Sequence, residues 1–253
     1  GGRGAVGAVF WVGGAVEGLL ERAERRGGAG LRDEFRQLAA GIPGEQSLHM
    51  TASSAWEERN RYADVFAWDE SRVTLLEPSP AADGDESNYI HANWADGARW
   101  PREFICAQGP LDSTRSDFWQ MVWERNVSVV LMLCLCVENN RHKCAQYWPL
   151  ELDKEMELEG GFRVLATARQ TRHLEDQHLV ETRLRLCRKT EGPRTLVHLL
   201  HANWPDHGLP PSTQPLRKVV ELLAATAEAT ARANGWTPRQ SPQQVPCAAG
   251  LGR

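Results

Sequence analysis

Excess positive charge is missing from this chain. Its 253 residues carry 29 Lys and Arg against 33 Asp and Glu, for a net charge of −4 and a pI near 6.1. That balance leaves no electrostatic footprint for nucleic acid. Long apolar runs are missing too. The longest, Val127–Val137, falls far short of the ~20 residues that cross a bilayer. Cysteine is sparse: the six residues, at 106, 134, 136, 144, 187 and 247, lie mostly in apolar runs without a framework spacing. A reducing compartment fits this usage better than a disulfide-stapled fold. Internal repeats are absent, as is any linker that would divide the chain. The opening stretch Gly1–Leu20 lacks the basic region and cleavage site of a secretory signal. It reads as a leader, with residues 1–30 expected to be poorly ordered and 31–253 to form one domain. Tryptophan, by contrast, is abundant: ten residues in patterned segments point to a large aromatic core. Hydrophobic residues at 42% and charged residues at 25% are the balance of an ordinary globular protein.

The pattern along the chain mixes strands and helices, so the fold class is α/β or α+β. Leu31–Leu38 reads as a short amphipathic helix, with Leu31, Phe35 and Leu38 on one face. Tyr89–Trp94 and Glu103–Gln108 read as short strands. A helix follows, capped by Asp112, Ser113 or Thr114 and striped by Phe118, Trp119, Met121, Val122 and Trp123. Val127–Val137 has strand length and β-branched content without polar alternation, which predicts a central strand buried on both faces. Residues 162–169, 179–188 and 194–202 continue as strands, with Glu191-Gly192-Pro193 as a turn. A second long helix is expected from Gln214 to Ala233, after a Ser212/Thr213 cap and ended by Asn234-Gly235.

The last seven residues, Cys247-Ala248-Ala249-Gly250-Leu251-Gly252-Arg253, form a C-x5-R pattern. A loop of small residues lets successive backbone N–H groups turn inward on a dianion. An arginine adds a planar fork that bonds two phosphate oxygens at once. A cysteine at the mouth of that positive field is set up as a thiolate nucleophile. Upstream, Asn203-Trp204-Pro205-Asp206-His207-Gly208 places a carboxyl group between a rigid Pro and a Gly, on a loop able to hinge. Transfer of a phosphoryl group from an aryl oxygen needs a proton donor for the leaving phenolate, and a mobile carboxyl supplies one.

Together these motifs resemble the cysteine-dependent protein tyrosine phosphatases. Other segments extend the likeness in the same order. Asn60-Arg61-Tyr62-Ala63-Asp64-Val65 resembles the family's phosphotyrosine-recognition loop, and Asn88-Tyr89-Ile90-His91-Ala92-Asn93 its N-Y-I-N-A motif. Phe104–Pro110 is similar to its aromatic-I-A-x-Q-G-P segment, Asp117-Phe118-Trp119 to its D-F-W, and Lys143–Pro149 to its K-C-x-x-Y-W-P block. The likeness covers about residues 31–253. It implies a central mixed, highly twisted sheet flanked by helices, and hydrolysis of phosphotyrosine in proteins through a phosphocysteine intermediate. Cys247 would attack phosphorus. Arg253 and the amides of Ala248, Ala249, Gly250, Leu251 and Gly252 would hold the oxygens. Asp206 would protonate the leaving tyrosine and then activate water. Tyr62 would stack on the substrate ring, Asp64 would hold the peptide backbone, and Glu138, Lys143 and Trp204 would support the loops. The implied partner is a phosphotyrosine protein or peptide; no cofactor, metal or nucleic acid is implied. The implied location is the cytoplasm, or the cytoplasmic side of a membrane receptor.

Some features depart from the family pattern. Pro246 stands where the family has His, Gln243 and Gln244 stand in a strand that is otherwise apolar, and Ala248 replaces a common Ser. The sequence ends at the arginine, before the Ser or Thr and the helix that follow it in the family. An incomplete domain with impaired hydrolysis is therefore expected for the chain as written. A pseudophosphatase that binds phosphotyrosine peptides or a protein partner is the alternative, and an incomplete gene model of a normal enzyme is a third. Cys134, Cys136, His142 and Cys144 have a spacing reminiscent of a zinc site but read as buried thiols in apolar sequence. Arg183, Arg185, Arg188 and Lys189 read as a solvated strand face, and His201 and His207 as structural.

Overall fold

The computed structural model describes residues 6–41, 49–80, 87–174, 177–202, 204 and 214–250. The chain forms two compact units, residues 1–48 and 49–253. The first is a helix, α1 (Val6–Gly41), broken in its regular geometry at Gly27, which sits at φ +60°. Glu34 pairs with Arg22 at 3.7 Å and Arg26 at 3.4 Å, across the break. The short helix expected at Leu31–Leu38 lies inside this longer one. The stretch read as a leader, residues 1–30, contributes the first part of α1 from Val6 onward. Between Ala15 and Arg26 the chain is mostly Ala, Leu, Glu and Arg, whose helix propensity outweighs the scattered glycines.

The second unit is built on a nine-stranded sheet. Its strands are β1 (Arg72–Thr74), β2 (Tyr89–Ala95), β3 (Phe104–Gln108), β4 (Val129–Met132), β7 (Glu155–Leu158), β8 (Phe162–Leu174), β9 (Gln177–Arg188), β10 (Arg194–His201) and β11 (Gln243–Cys247). β5 (Val137–Glu138) and β6 (Arg141–His142) make a separate hairpin. The spatial order is β1-β2-β3-β11-β4-β10-β9-β8-β7. The four central strands β3, β11, β4 and β10 run parallel, and the flanks are antiparallel. The carboxyl ends of the central strands therefore meet at one edge of the sheet, where open α/β sheets bind ligands.

A short helix α2 (Thr51–Ala55) precedes the sheet, and two longer helices cover its faces. α3 (Arg115–Glu124) packs in a cluster with Phe118, Trp119, Trp123, Tyr147, Trp148 and Phe162. This is the aromatic core that the tryptophan content pointed to. Each such fully buried side chain contributes about 1.5–3 kcal/mol. α4 (Gln214–Ala233) covers the other cluster, which holds Val129, Leu131, Val197, Leu199 and Cys247. It ends where expected: Gly235 takes φ +78°, and the Asn234 side chain bonds both the N–H and the carbonyl of Thr195. The expected Ser212/Thr213 cap lies outside the described residues.

Two expectations need correction. Val127–Val137 is not one strand. Only Val129–Met132 is bonded between β11 and β10, and Val137 is exposed in the hairpin. The chain leaves the sheet after Leu133, whose N–H still bonds the Pro246 carbonyl at 3.0 Å. It then reverses through Asn139 and Asn140, both at positive φ, as a tight hairpin requires. The helix cap also differs: the Thr114 hydroxyl accepts from the Leu111 N–H at 3.0 Å rather than from a helix amide.

Candidate active site

Parallel pairing of β11 with β3 sets Cys247 opposite Gln108 and Pro246 opposite Ala107. Pro246 has no N–H to give the ladder, but its carbonyl accepts from the Leu133 N–H at 3.0 Å. Beyond Cys247 the chain curls back at once. The Gly250 N–H points at the Cys247 sulfur, 3.2 Å away. Gly250 lies at φ +78°, and a Cβ there would stand 2.6 Å from the Gln108 backbone nitrogen. Only glycine fits both demands. Cys247 and Ala248 are buried. The Cys247 carbonyl accepts from the Gly109 N–H at 2.6 Å, which closes the loop base onto the segment after β3.

Gln108 then ties this base to the segment that carries Tyr62. Its Oε1 accepts from the Arg61 N–H at 2.9 Å, and its Nε2 donates to the Arg59 carbonyl at 2.7 Å. The Arg61 guanidinium reaches the Gly109 and Pro110 carbonyls at 2.9 and 2.8 Å. From below, Arg59 bonds Asp117 at 3.1 Å and Ser79 at 3.0 Å, with both charged side chains buried. Asn60 accepts from the Tyr89 hydroxyl at 2.5 Å, and burial pushes that phenol's pKa up. Sequence reasoning assigned no role to Arg59, Arg61, Gln108 or Asp117. Their partners are remote in sequence, so no spacing signals them.

The other named residues fall as follows. Tyr62 is half-buried, with the Lys143 ammonium 3.4 Å from its hydroxyl and 5.9 Å from the ring centre. Asp64 is exposed. Glu138 accepts from the Leu135 N–H at 2.9 Å, which braces the β5–β6 hairpin. Trp204 packs on the same apolar cluster as Cys247 and sits edge-on to His201, whose pKa is lowered by burial. Ala249 and Gly250 continue the loop. Asp206, His207, Leu251, Gly252 and Arg253 lie outside the described residues. Cys106, on β3 beside the loop strand, has its thiol pKa raised by burial and then by the negative field of Cys247. Among the described residues no group of three His, Cys, Asp or Glu side chains is placed to hold a metal ion.

The register and the turn after β11 place Cys247 at the carboxyl ends of the parallel strands, tied through Gln108 to the segment bearing Tyr62. The protein-tyrosine phosphatase family model matches residues 56–253, and the chain belongs to that family. Among its relatives, human receptor-type tyrosine-protein phosphatase C is 36% identical over 202 residues, covering 78% of this chain and 14% of that protein. Rat tyrosine-protein phosphatase non-receptor type 9 is 32% identical over 245 residues, covering 94% of this chain and 40% of that protein. The chain thus spans less than half the length of either relative. The solved catalytic domain of human protein tyrosine phosphatase non-receptor type 18 matches with a TM-score of 0.72 at 30% identity, covering 93% of this chain and 78% of that one.

Proposed function

We propose that this chain removes phosphate from phosphotyrosine in proteins through a phosphocysteine intermediate on Cys247. The observation that carries the reading is the backbone amide of Gly250 aimed at the Cys247 sulfur at 3.2 Å. An amide in that position stabilises a thiolate and faces the space where phosphate oxygens would sit. Sulfur attacks phosphorus as the bond to the tyrosine oxygen breaks, and Asp206 gives its proton to that oxygen. Water then attacks the phosphocysteine, Asp206 takes its proton, and phosphate and the thiolate separate. Arg253 and the loop amides neutralise the oxygens in both steps. Tyr62 sets the depth of the pocket and stacks on the phenyl ring, and Asp64 holds the substrate backbone. A solved structure of the type 18 enzyme is in complex with HER2 phosphopeptides, which supports a phosphotyrosine peptide as the ligand class here.

A second reading, a pseudophosphatase that binds phosphotyrosine without hydrolysis, is favoured by Pro246 and by the polar Gln243 and Gln244 in the strand that delivers the cysteine. The location is read as the cytoplasm or the cytoplasmic side of a receptor. Both receptor and non-receptor relatives exist, and no described helix is long and apolar enough to cross a membrane.

Phosphate release and calorimetric binding, measured with one phosphotyrosine peptide, separate the readings. Hydrolysis predicts release that Cys247→Ser abolishes while binding persists. Binding without release in the unaltered chain selects the pseudophosphatase, and neither binding nor release rejects both.

A further inference from the structure

Three thiols that the proposed reaction does not use come together around the β5–β6 hairpin. Cys134 and Cys136 follow β4, and Cys144 follows β6. The β5–β6 hairpin folds the second segment back on the first, so the Cys144 N–H donates to the Cys136 carbonyl at 3.3 Å. The Lys143 N–H bonds the same carbonyl at 2.8 Å, so Cys136 faces the Lys143–Cys144 step. The side chains converge as well. The Cys136 and Cys144 sulfurs lie 3.8 and 3.2 Å from the same acceptor, the Ala145 carbonyl. The Cys134 and Cys136 side chains are also close enough to act on the ionisation of Cys144. All three cysteines are free thiols.

The pair is asymmetric. Cys136 is half-buried between the exposed Leu135 and Val137, whereas Cys144 is 2% exposed. The Cys144 hydrogen bond, and secondarily the Arg61 charge, hold the Cys136 thiol below its usual pKa despite burial. The neighbouring Cys134 and Cys136 side chains, and then burial, push the Cys144 thiol up. One member is thus the accessible thiol, and the other is a protected thiol beside it.

We propose that Cys136 and Cys144 are a peroxide-responsive pair that closes to a disulfide. The Cys136 thiolate attacks one oxygen of a hydroperoxide. The O–O bond breaks, an alcohol or water leaves, and Cys136 becomes a sulfenic acid. The Cys144 sulfur then displaces hydroxide from Cys136, and its proton leaves with that hydroxide as water. Each disulfide consumes one peroxide and two electrons from the two sulfurs. The pairing bears on the site by position. Cys144 Cβ and Sγ lie 2.8 and 3.0 Å from where a Cβ on Gly109 would stand, and the Gly109 N–H holds the Cys247 carbonyl. Lys143, next in the chain, reaches Tyr62.

Trypsin cuts after Arg125, Arg141, Lys143 and Lys154, so the pair falls on two peptides, residues 126–141 and 144–154. The chain is treated with hydrogen peroxide, alkylated and digested without reductant. The expected product is the two peptides joined with loss of two hydrogens, and dithiothreitol should release them. The link should survive in Cys134→Ser and vanish in Cys136→Ser, with thermal melts confirming that both variants fold. A link that survives Cys136→Ser, or a Cys144 still alkylated after peroxide, overturns the proposal. This result does not depend on whether the chain hydrolyses phosphotyrosine.

Discussion

Two buried glutamines on neighbouring strands have opposite fates. Gln108, at the end of β3, uses both ends of its amide, on the Arg61 N–H and on the Arg59 carbonyl. Gln244, on the adjacent β11, is fully buried, and neither its Oε1 nor its Nε2 has a partner among the described residues. Its cross-strand neighbours are Ile105 and Val130, which offer nothing to bond. The same side chain therefore holds the segment bearing Tyr62 in place on one strand and is a cost on the next. Satisfaction of its hydrogen bonds, not burial or polarity, decides the sign.

The contrast breaks if the two positions respond alike to an apolar substitution. Gln108→Leu leaves the Arg61 N–H and the Arg59 carbonyl without their partner and should destabilise the chain by about 2–4 kcal/mol. It should also weaken phosphotyrosine-peptide binding, because the segment bearing Tyr62 loses its tie to the Cys247 strand. Urea denaturation reads the first effect and calorimetry the second; unchanged stability would mean that Gln108 does not hold the segment. Gln244→Leu removes an amide that bonds nothing and should stabilise by about 1–3 kcal/mol. A loss at this position in the same urea assay would show that the amide has a partner after all.

Much of this was legible from residue order. The parallel centre brings the ends of β3, β10 and β11 to one edge, and Gln108, Trp204 and Cys247 lie at or just beyond those ends. The helices α3 and α4, and strands within β8, β9 and β10, followed from period and from the turn at Glu191-Gly192-Pro193, although β8 runs on to Leu174. What stayed hidden depends on pairing. Arg59 and Asp117 are 58 residues apart and meet only once α3 lies against the sheet. The value of Gln108 depends on two backbone groups of another segment, which no period encodes. Val127–Val137 misled because apolar content predicts burial, while strand length is set by the neighbours available for bonding. Gln244 was noticed as out of pattern, but only the register shows that its neighbours are Ile105 and Val130.

His198 is the intermediate case between the two glutamines. On β10, wholly buried, it stacks on Trp148 with ring centres 4.4 Å apart and shares a 2.7 Å hydrogen bond between Nε2 and the Tyr147 hydroxyl. Its Nδ1 has no partner. Burial, and then the Arg169 charge, bring its pKa down to about 3. The folded chain therefore keeps the ring neutral, while the unfolded chain protonates it near the ordinary value of ~6.5. Above that pH both states are neutral and the site contributes no slope. As pH falls from ~6.5 toward the folded value, the unfolded state binds the extra proton, and stability should drop by about 1.4 kcal/mol per pH unit from this site. His198→Gln removes the titration. Urea midpoints between pH 7 and pH 5 should fall less in the variant than in the unaltered chain by about that slope, and equal slopes would show that the ring is not held neutral.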